Sequence, residues 1–324
     1  MKTMAVLIAL VMSICGSARG REPVETNRAV EEQDRGSARQ PRLIVRLDDM
    51  GFCHAANMAF KRILEEGVCT SVSLMVTTPW LDEAVAILRE HPEVSVGVHL
   101  TLNAEWREYR WGPVSPYSEV PSLVDENGKF FGTRREFMAN EPNVTEVEKE
   151  LRAQVELALR KGLKISYVDY HMGTAMSTRE FQEVVEKLAR EHQLGISQYF
   201  GETYAPNVYR FPPEQKLAEA VKIIESMSES KLYLFVAHPG MNTPEMAAMT
   251  DLNATGVKPM AAHRQAVTDL LCSPAFKAAI ERQGLQLVNY DHLKAEGLNR
   301  MKRPWIADPY GQARKRPIGQ QDDD

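Results

Sequence analysis

Cysteine is scarce in this chain, and its few cysteines are not spaced as a metal or disulfide motif. Four cysteines occur in 324 residues. The three that follow the N-terminal segment, Cys53, Cys69 and Cys272, show no C-x-x-C spacing. We therefore expect neither a disulfide scaffold nor a cysteine zinc site, although one bridge stays open in an exported protein.

Other common binding signals are also missing. Lysine and arginine are spread along the chain rather than gathered into a stripe, and the formal net charge is −5, so no nucleic-acid partner is expected. The sequence has no glycine-rich phosphate loop, no internal repeat and no stretch that predicts a stable membrane span. A homodimer is the assembly that these features leave open.

The N-terminal 20 residues have the layout of a secretory signal peptide. Lys2 precedes an apolar stretch from Met4 to Cys15, and small residues follow up to Gly20. Residues 21–40 are charged and lack apolar periodicity, which predicts a disordered lead-in, and residues 306–324 are predicted to be a flexible tail. We therefore expect a secreted or periplasmic protein with a single domain at residues 41–305.

Apolar runs alternate with amphipathic helical stretches through this domain. Seven runs predict buried strands, and they begin at Leu43, Thr70, Val94, Ile165, Ile196, Leu232 and Leu285. Strands that alternate with helices indicate a parallel sheet. We predict an α/β fold, a distorted seven-stranded (β/α) barrel similar to a TIM barrel.

Chemically active side chains recur where these strands end. They are Asp48, Asp49, His99, Asp169, His171 and His238. Two adjacent carboxylates are costly unless they share a cation or a proton. Because the carboxyl ends of barrel strands meet at one rim, these residues predict a site that combines a metal ion with an acid and a base.

A long segment at residues 103–142 interrupts the alternation. It contains Trp106, Tyr109 and Trp111 among charged residues and prolines. Long loops in compact domains are usually functional, and aromatic rings of this kind stack on sugars. A small core formed by the loop itself is the alternative interpretation.

The ordered combination of motifs resembles the YdjC-like carbohydrate deacetylase family. The motifs are Asp48-Asp49-x-Gly51 with Asn57, Gly97-x-His99-Leu100, Asp169-x-His171, His238-Pro239-Gly240, and Pro121–Asp125 with Gly128 and Phe130. Members of the family commonly carry histidines where Tyr167 and Gly173 stand here, so the chain departs from the family pattern at these two positions.

The resemblance implies a divalent metal ion, magnesium or zinc, held by Asp49, His99 and His171. It further implies that Asp48 acts as general base and that His238 acts as general acid. Three protein ligands with open positions are typical of a catalytic metal rather than a structural one.

Two further residues each have more than one interpretation. Arg264 stands where family members often have an arginine, and we assign it to the catalytic group as a partner of the carboxylates, with a surface salt bridge as the alternative. Asp169 is assigned to substrate binding together with the three loop aromatics, and orientation of a ligand histidine or a simple structural role is equally compatible with its position.

The function that these features favour is a metal-dependent hydrolase that removes acetyl groups from N-acetylated amino sugars and releases acetate. One alternative is a non-catalytic carbohydrate-binding envelope protein on the same barrel. Another is a different metal-assisted sugar hydrolase or isomerase. Retention of Asp48 and His238 favours the enzyme.

Overall fold

The computed structural model describes residues 40–304. The predicted signal peptide, nearly all of the lead-in and the predicted tail lie outside the described residues. They therefore stay predictions, as do the predicted domain limits.

One parallel sheet organises the described residues. Its strands are β1 (Arg42–Met50), β2 (Ser71–Leu74), β3 (Ser95–Leu100), β4 (Ile165–Tyr170), β5 (Gly195–Ile196), β6 (Thr203–Tyr204), β7 (Leu232–Ala237) and β8 (Gln286–Leu287). Their order is β5-β4-β3-β2-β1-β7-β6, and β8 pairs with the beginning of β1. The curled sheet with helices between its strands confirms the predicted α/β fold, a distorted (β/α) barrel.

Helices follow most of the strands. The α-helices are α1 (His54–Glu66), α2 (Leu81–Glu90), α3 (Arg134–Ala139), α4 (Val144–Arg160), α5 (Arg179–Glu191), α6 (Lys216–Glu225), α7 (Pro244–Ala248), α8 (Met260–Cys272), α9 (Pro274–Arg282) and α10 (Tyr290–Glu296). Short 3₁₀ turns lie at Tyr117–Glu119, Pro121–Leu123, His171–Met176, Pro213–Gln215 and Leu298–Arg300. None of the helices between residues 40 and 304 is long and apolar enough to cross a membrane.

Two short elements differ from the sequence-based expectation. Strand β6 was not predicted, because it has only two exposed residues and is joined to β7 by main-chain pairing. The strand predicted from Leu285 ends early because Asn289 accepts the backbone N–H of His292 and caps α10. The side chain of a capping residue can thus end a strand that hydrophobicity alone would extend.

The apolar interior has two parts, one on each side of the sheet. The larger part lies between the sheet and the helices. The smaller part fills the barrel and consists of Ile44, Tyr167, Leu232, Leu234, Val236, Val288, Tyr290 and Leu293. The ring of Tyr167 crosses β3 at Gly97, where a Cβ atom would lie 2.4 Å from the ring. A glycine is therefore required at this position for the two strands to pack.

The three described cysteines are free thiols: Cys53, Cys69 and Cys272. The single disulfide bridge that the sequence left open is therefore not formed between them.

Candidate metal centre

The end of β1 departs from regular strand geometry at Asp49. In a regular strand, neighbouring side chains point to opposite faces, which would separate Asp48 from Asp49. The pairing of β1 with β2 shifts register between Leu47 and Met50, and Asp49 has a φ of 79°. Such an irregularity re-aims a side chain at some cost in backbone strain. Both carboxylates consequently join one polar cluster at the rim.

Three buried side-chain atoms form a triangle in this cluster. Asp49 Oδ1 lies 3.4 Å from His99 Nε2 and 3.3 Å from His171 Nδ1. The two nitrogens are 3.3 Å apart. Asp49 Oδ1 has no hydrogen-bond partner within residues 40–304. A buried carboxylate oxygen without a partner is costly, which points to a ligand at this position.

The triangle fits a divalent metal ion. A tetrahedral zinc ion with bonds of about 2.0–2.1 Å separates its ligands by about 3.3–3.4 Å, which is the spacing of these three atoms. Asp49, His99 and His171 are therefore able to hold a metal ion together. These three residues, called the metal triad below, supply one oxygen and two nitrogens. A metal ion held by them would keep open positions for water or substrate.

Each histidine of the triad is oriented by a carboxylate at its other ring nitrogen. Asp169 Oδ1 lies 3.0 Å from His99 Nδ1, and Glu105 Oε2 lies 2.8 Å from His171 Nε2. Outer carboxylates of this type fix the ring orientation and raise the basicity of metal-binding histidines. Asp169 thus lies where it orients a ligand histidine, which was one of its predicted roles. Glu105 was not predicted, since a single loop carboxylate carries no sequence pattern.

The carboxylates make this cluster strongly attractive to cations. Burial lowers the pKa of His99, but Asp169 and Asp49 outweigh burial and raise it to about 10. Burial also lowers the pKa of His171, but Glu105 and Asp49 outweigh burial and raise it to about 9. Burial raises the pKa of Asp49, yet Arg264 and both histidines hold it well below its usual value.

Arg264 lies beneath the metal triad rather than on the surface. Its Nη2 donates to Asp49 Oδ2 at 2.7 Å, and both side chains are buried. Its guanidinium carbon lies 4.9 Å from the ring centre of Phe52 and 5.9 Å from that of Trp106. The predicted partnership with the site carboxylates is therefore made with Asp49, and the remaining oxygen of Asp49 is left for the triangle.

Asp48 forms a bidentate ion pair that the sequence analysis missed. Arg46 donates from Nε to Asp48 Oδ1 at 2.7 Å and from Nη2 to Asp48 Oδ2 at 2.8 Å. The two residues are two positions apart on β1, so their side chains share a face. A cation inside an otherwise apolar run was the sequence signal for this pair.

His238 follows the end of β7, beside β1. Strand pairing matches Leu47 with Ala237, so His238 and Asp48 occupy neighbouring rim positions. Burial lowers the pKa of His238, and Asp49 and Asp48 oppose this shift without reversing it. The imidazolium form of His238 is therefore a stronger acid than an exposed histidine.

The predicted sugar-binding aromatics are mostly packed into the protein. Trp106 and Trp111 are only 2% and 3% exposed. Their predicted role as stacking surfaces is therefore not supported by their exposure, because little ring area faces solvent. Tyr109 is half-buried and donates to the carbonyl of Phe52 at 2.6 Å. The rings belong largely to the core of the loop.

A surface cavity lies next to this loop. Its volume is about 650 Å³, and its lining includes Thr77, Trp111, Tyr117 and Lys129. The ring centre of Trp111 is 6.2 Å from that of His171. Trp111 thus separates the cavity from the metal triad.

A family model described as YdjC-like protein matches residues 42–282. The chain belongs to the YdjC-like family. The resemblance drawn from the motifs is thereby confirmed.

Two bacterial relatives are both named "Carbohydrate deacetylase". The Brevibacillus brevis protein is 28% identical over 265 residues, which cover 78% of this chain and 99% of the relative. The Enterococcus faecalis protein is 26% identical over 270 residues, which cover 78% of this chain and 98% of the relative.

One solved structure supports the fold. The crystal structure of an Enterococcus faecalis V583 protein, described as a cellobiose-phosphate cleavage protein, superposes with a TM-score of 0.66 at 25% identity. The match covers 78% of this chain and 99% of that one.

This YdjC-like domain accommodates its two departures from the family motif in different ways. The ring of Tyr167 stacks on Tyr290 with centres 3.9 Å apart, and its hydroxyl lies 2.9 Å from Ser73 Oγ. Ser73 in turn donates to Asp169 at 2.9 Å. Gly173 has a φ of 73° in the turn that follows His171. Tyr167 therefore stays linked to the triad through Ser73 and Asp169.

Proposed function

We propose that this protein is a metal-dependent hydrolase that removes the acetyl group from N-acetylated amino sugars. The observation that carries the proposal is the donor triangle of Asp49, His99 and His171 beside the Asp48 and His238 positions. Family membership and the names of the two relatives support the same reaction class.

The donor set favours a transition metal of the zinc type over magnesium. Magnesium prefers oxygen ligands and keeps several waters, whereas two imidazoles with one carboxylate suit zinc and its neighbours. When bound, such an ion polarises the acetamide carbonyl and acidifies a water molecule.

The protein's own residues supply the proton transfers. Asp48, held in place by its bidentate ion pair with Arg46, accepts the proton of the attacking water. His238 donates a proton to the leaving nitrogen as the carbon–nitrogen bond breaks. Arg264 fixes Asp49 through one carboxylate oxygen. Asp169 and Glu105 keep the two histidine rings in orientation.

The cavity beside the loop is not assigned to the substrate. The buried ring of Trp111 stands between this cavity and the triad, and the residues that line the cavity include none of the proposed catalytic group. Asp169 is buried against His99 and acts on the metal site rather than on the sugar.

We further propose that the protein is exported, on the basis of the signal-peptide pattern in residues 1–20. Fractionation of cells expressing the full chain, compared with a chain that starts at residue 21, tests this. Export of the full chain alone is expected, and retention of both forms in the cytoplasm would remove the proposal.

Acetate release from a panel of N-acetylated mono- and oligosaccharides tests the reaction. We expect release that stops with chelator and returns with zinc, and that Asp48→Asn abolishes without loss of metal binding. Lys222→Met, which removes an exposed ion pair with Glu219 on α6, serves as a control that leaves the site residues intact. Sugar binding without turnover by metal-loaded protein would favour the non-catalytic alternative, and unchanged turnover in Asp48→Asn would remove the base assignment.

A further inference from the structure

Arg46 forms ion pairs with two carboxylates next to the metal triad, those of Asp48 and Asp169. No other side chain within residues 40–304 forms ion pairs with both. Arg46 is 5% exposed and lies inside the barrel. Besides its two bonds to Asp48, its Nη2 lies 3.2 Å from Asp169 Oδ2. The guanidinium therefore sits between the proposed base and the carboxylate that orients His99.

Hydrogen bonds to buried side chains of the barrel interior fix the position of Arg46. Its Nη1 donates to Ser197 Oγ at 2.6 Å, and Ser197 Oγ lies 2.7 Å from the hydroxyl of Tyr290. The Tyr290 ring stacks on Tyr167 in the barrel interior. Each of these groups is buried. A planar guanidinium held in this way presents a rigid fork that an ammonium group cannot reproduce.

The carboxylates that Arg46 contacts are also potential metal ligands. Asp48, His99 and Asp169 form a second set whose donor atoms lie within 4.8 Å of one another. This set shares His99 with the first triad. Two buried carboxylates at this spacing need a positive charge between them, and Arg46 supplies it.

We propose that Arg46 is a positioning residue and a built-in cation. It holds Asp48 in the orientation needed for proton transfer, and it keeps a second metal ion out of the Asp48–His99–Asp169 set. The first role rests on the proposed deacetylase function, whereas the second concerns metal binding alone.

Arg46→Met and Arg46→Lys separate the two roles. In the methionine variant, we expect a second equivalent of zinc after saturation and gel filtration, against one for the wild type. This second equivalent should disappear in Arg46→Met with Asp169→Asn. The lysine variant keeps a positive charge and should bind one equivalent. Arg303→Met, which breaks a bidentate pair with Glu186 elsewhere, is the matched control and should also bind one.

Turnover gives the other readout. For Arg46→Met and Arg46→Lys, we expect kcat to fall on the order of 100-fold and 10-fold respectively, with KM changed less than about 3-fold, because base positioning affects the chemical step. Turnover within about 3-fold of the wild type in both variants would overturn the positioning role. A single zinc equivalent in folded Arg46→Met would overturn the exclusion role. If the methionine variant does not fold, the lysine variant still tests positioning through kcat.

Absence of acetate release by the zinc-loaded wild type would be a failure of the proposed function instead. The zinc stoichiometries could still be measured in that case. Failure of the proposed deacetylase function can therefore be distinguished from failure of the exclusion role.

Discussion

Glu105 contacts the ring nitrogen of His171 that faces away from Asp49. Its carboxylate lies 2.8 Å from Nε2, and both residues are buried. By accepting the ring proton at Nε2, Glu105 keeps Nδ1 free to face Asp49 and His99. The single loop residue therefore determines which ring nitrogen can bind a metal ion.

Glu105→Gln should weaken zinc binding about 10- to 100-fold, because an amide is a poorer partner for the imidazole than a carboxylate. Competition with a calibrated chelator measures the change. Glu146→Gln, which replaces a carboxylate that binds Ser122, should leave the affinity within about 2-fold. Equal zinc affinity in wild type and Glu105→Gln would show that Glu105 does not act on the metal.

Metal binding should release protons and strengthen with rising pH. In chelator-treated protein, the carboxylates raise the pKa of His99 to about 10 and that of His171 to about 9. Below these values both rings hold protons that a metal ion must displace. Calorimetry in buffers of different ionisation enthalpy should show proton release at pH 7 and tighter zinc binding at pH 8.5. A pH-independent affinity across this range would contradict the raised pKa values.

The same shifts affect the stability of the chelated protein. Unfolded histidine has a pKa of about 6.5, so the folded form binds more protons than the unfolded form between that value and the raised pKa. This contribution to the free energy of unfolding is complete below about pH 6.5, and it is lost as pH rises through 9 to 10. Urea unfolding at several pH values measures the trend.

At the level of elements, the bulge that ends β1 places both aspartates at the rim. It is followed by Gly51, whose φ is 97° and whose N–H donates to Asn57 Oδ1 at 2.8 Å. A Cβ atom at Gly51 would lie 3.0 Å from the carbonyl oxygen of Met75. The glycine thus allows the turn from β1 into α1 that fixes the orientation of Asp49.

Gly51→Ala should cost about 1–3 kcal/mol of stability and should weaken zinc binding, because the turn supports Asp49. Urea unfolding and zinc titration measure the two effects. Gly201→Ala is the matched control: its φ is 80°, but nothing lies within 4 Å of the added atom. It should lose stability without losing zinc affinity. Equal zinc affinity in both variants would show that Gly51 does not support the site.

At the scale of the whole domain, side chains from several strands and from α10 fill the interior of the barrel. Tyr167 of β4 crosses Gly97 of β3 and stacks on Tyr290 of α10. This packing lies below the metal triad, on the strands that carry His99 and Asp169. Stability of the interior and geometry of the site are therefore coupled through the same strands.

Gly97→Ala should cost about 1–3 kcal/mol, because the added methyl overlaps the Tyr167 ring. Tyr167→Leu relieves the overlap, so the double variant should be less destabilised than the sum of the single variants. Thermal or urea unfolding of the four proteins measures this coupling. Additive losses would mean that the ring and the glycine do not pack as described.

The sequence by itself determined the fold class and the polar residues of the rim. Strand and helix patterns extend over many residues, so their periodicity survives local exceptions, and the motifs of Asp49, His99 and His171 identified the family. The parallel arrangement then required strand ends to meet at one rim.

Only the tertiary structure decided how these residues interact. Arg46 and Glu105 join the site through contacts between segments far apart in the chain or through the alternation of a strand, and Trp106 and Trp111 lose most of their exposed surface to packing. A side chain's partners and exposure depend on what packs against it from distant segments. Residue type and spacing alone therefore predict which groups reach the rim, but not which of them orient, neutralise or bury one another.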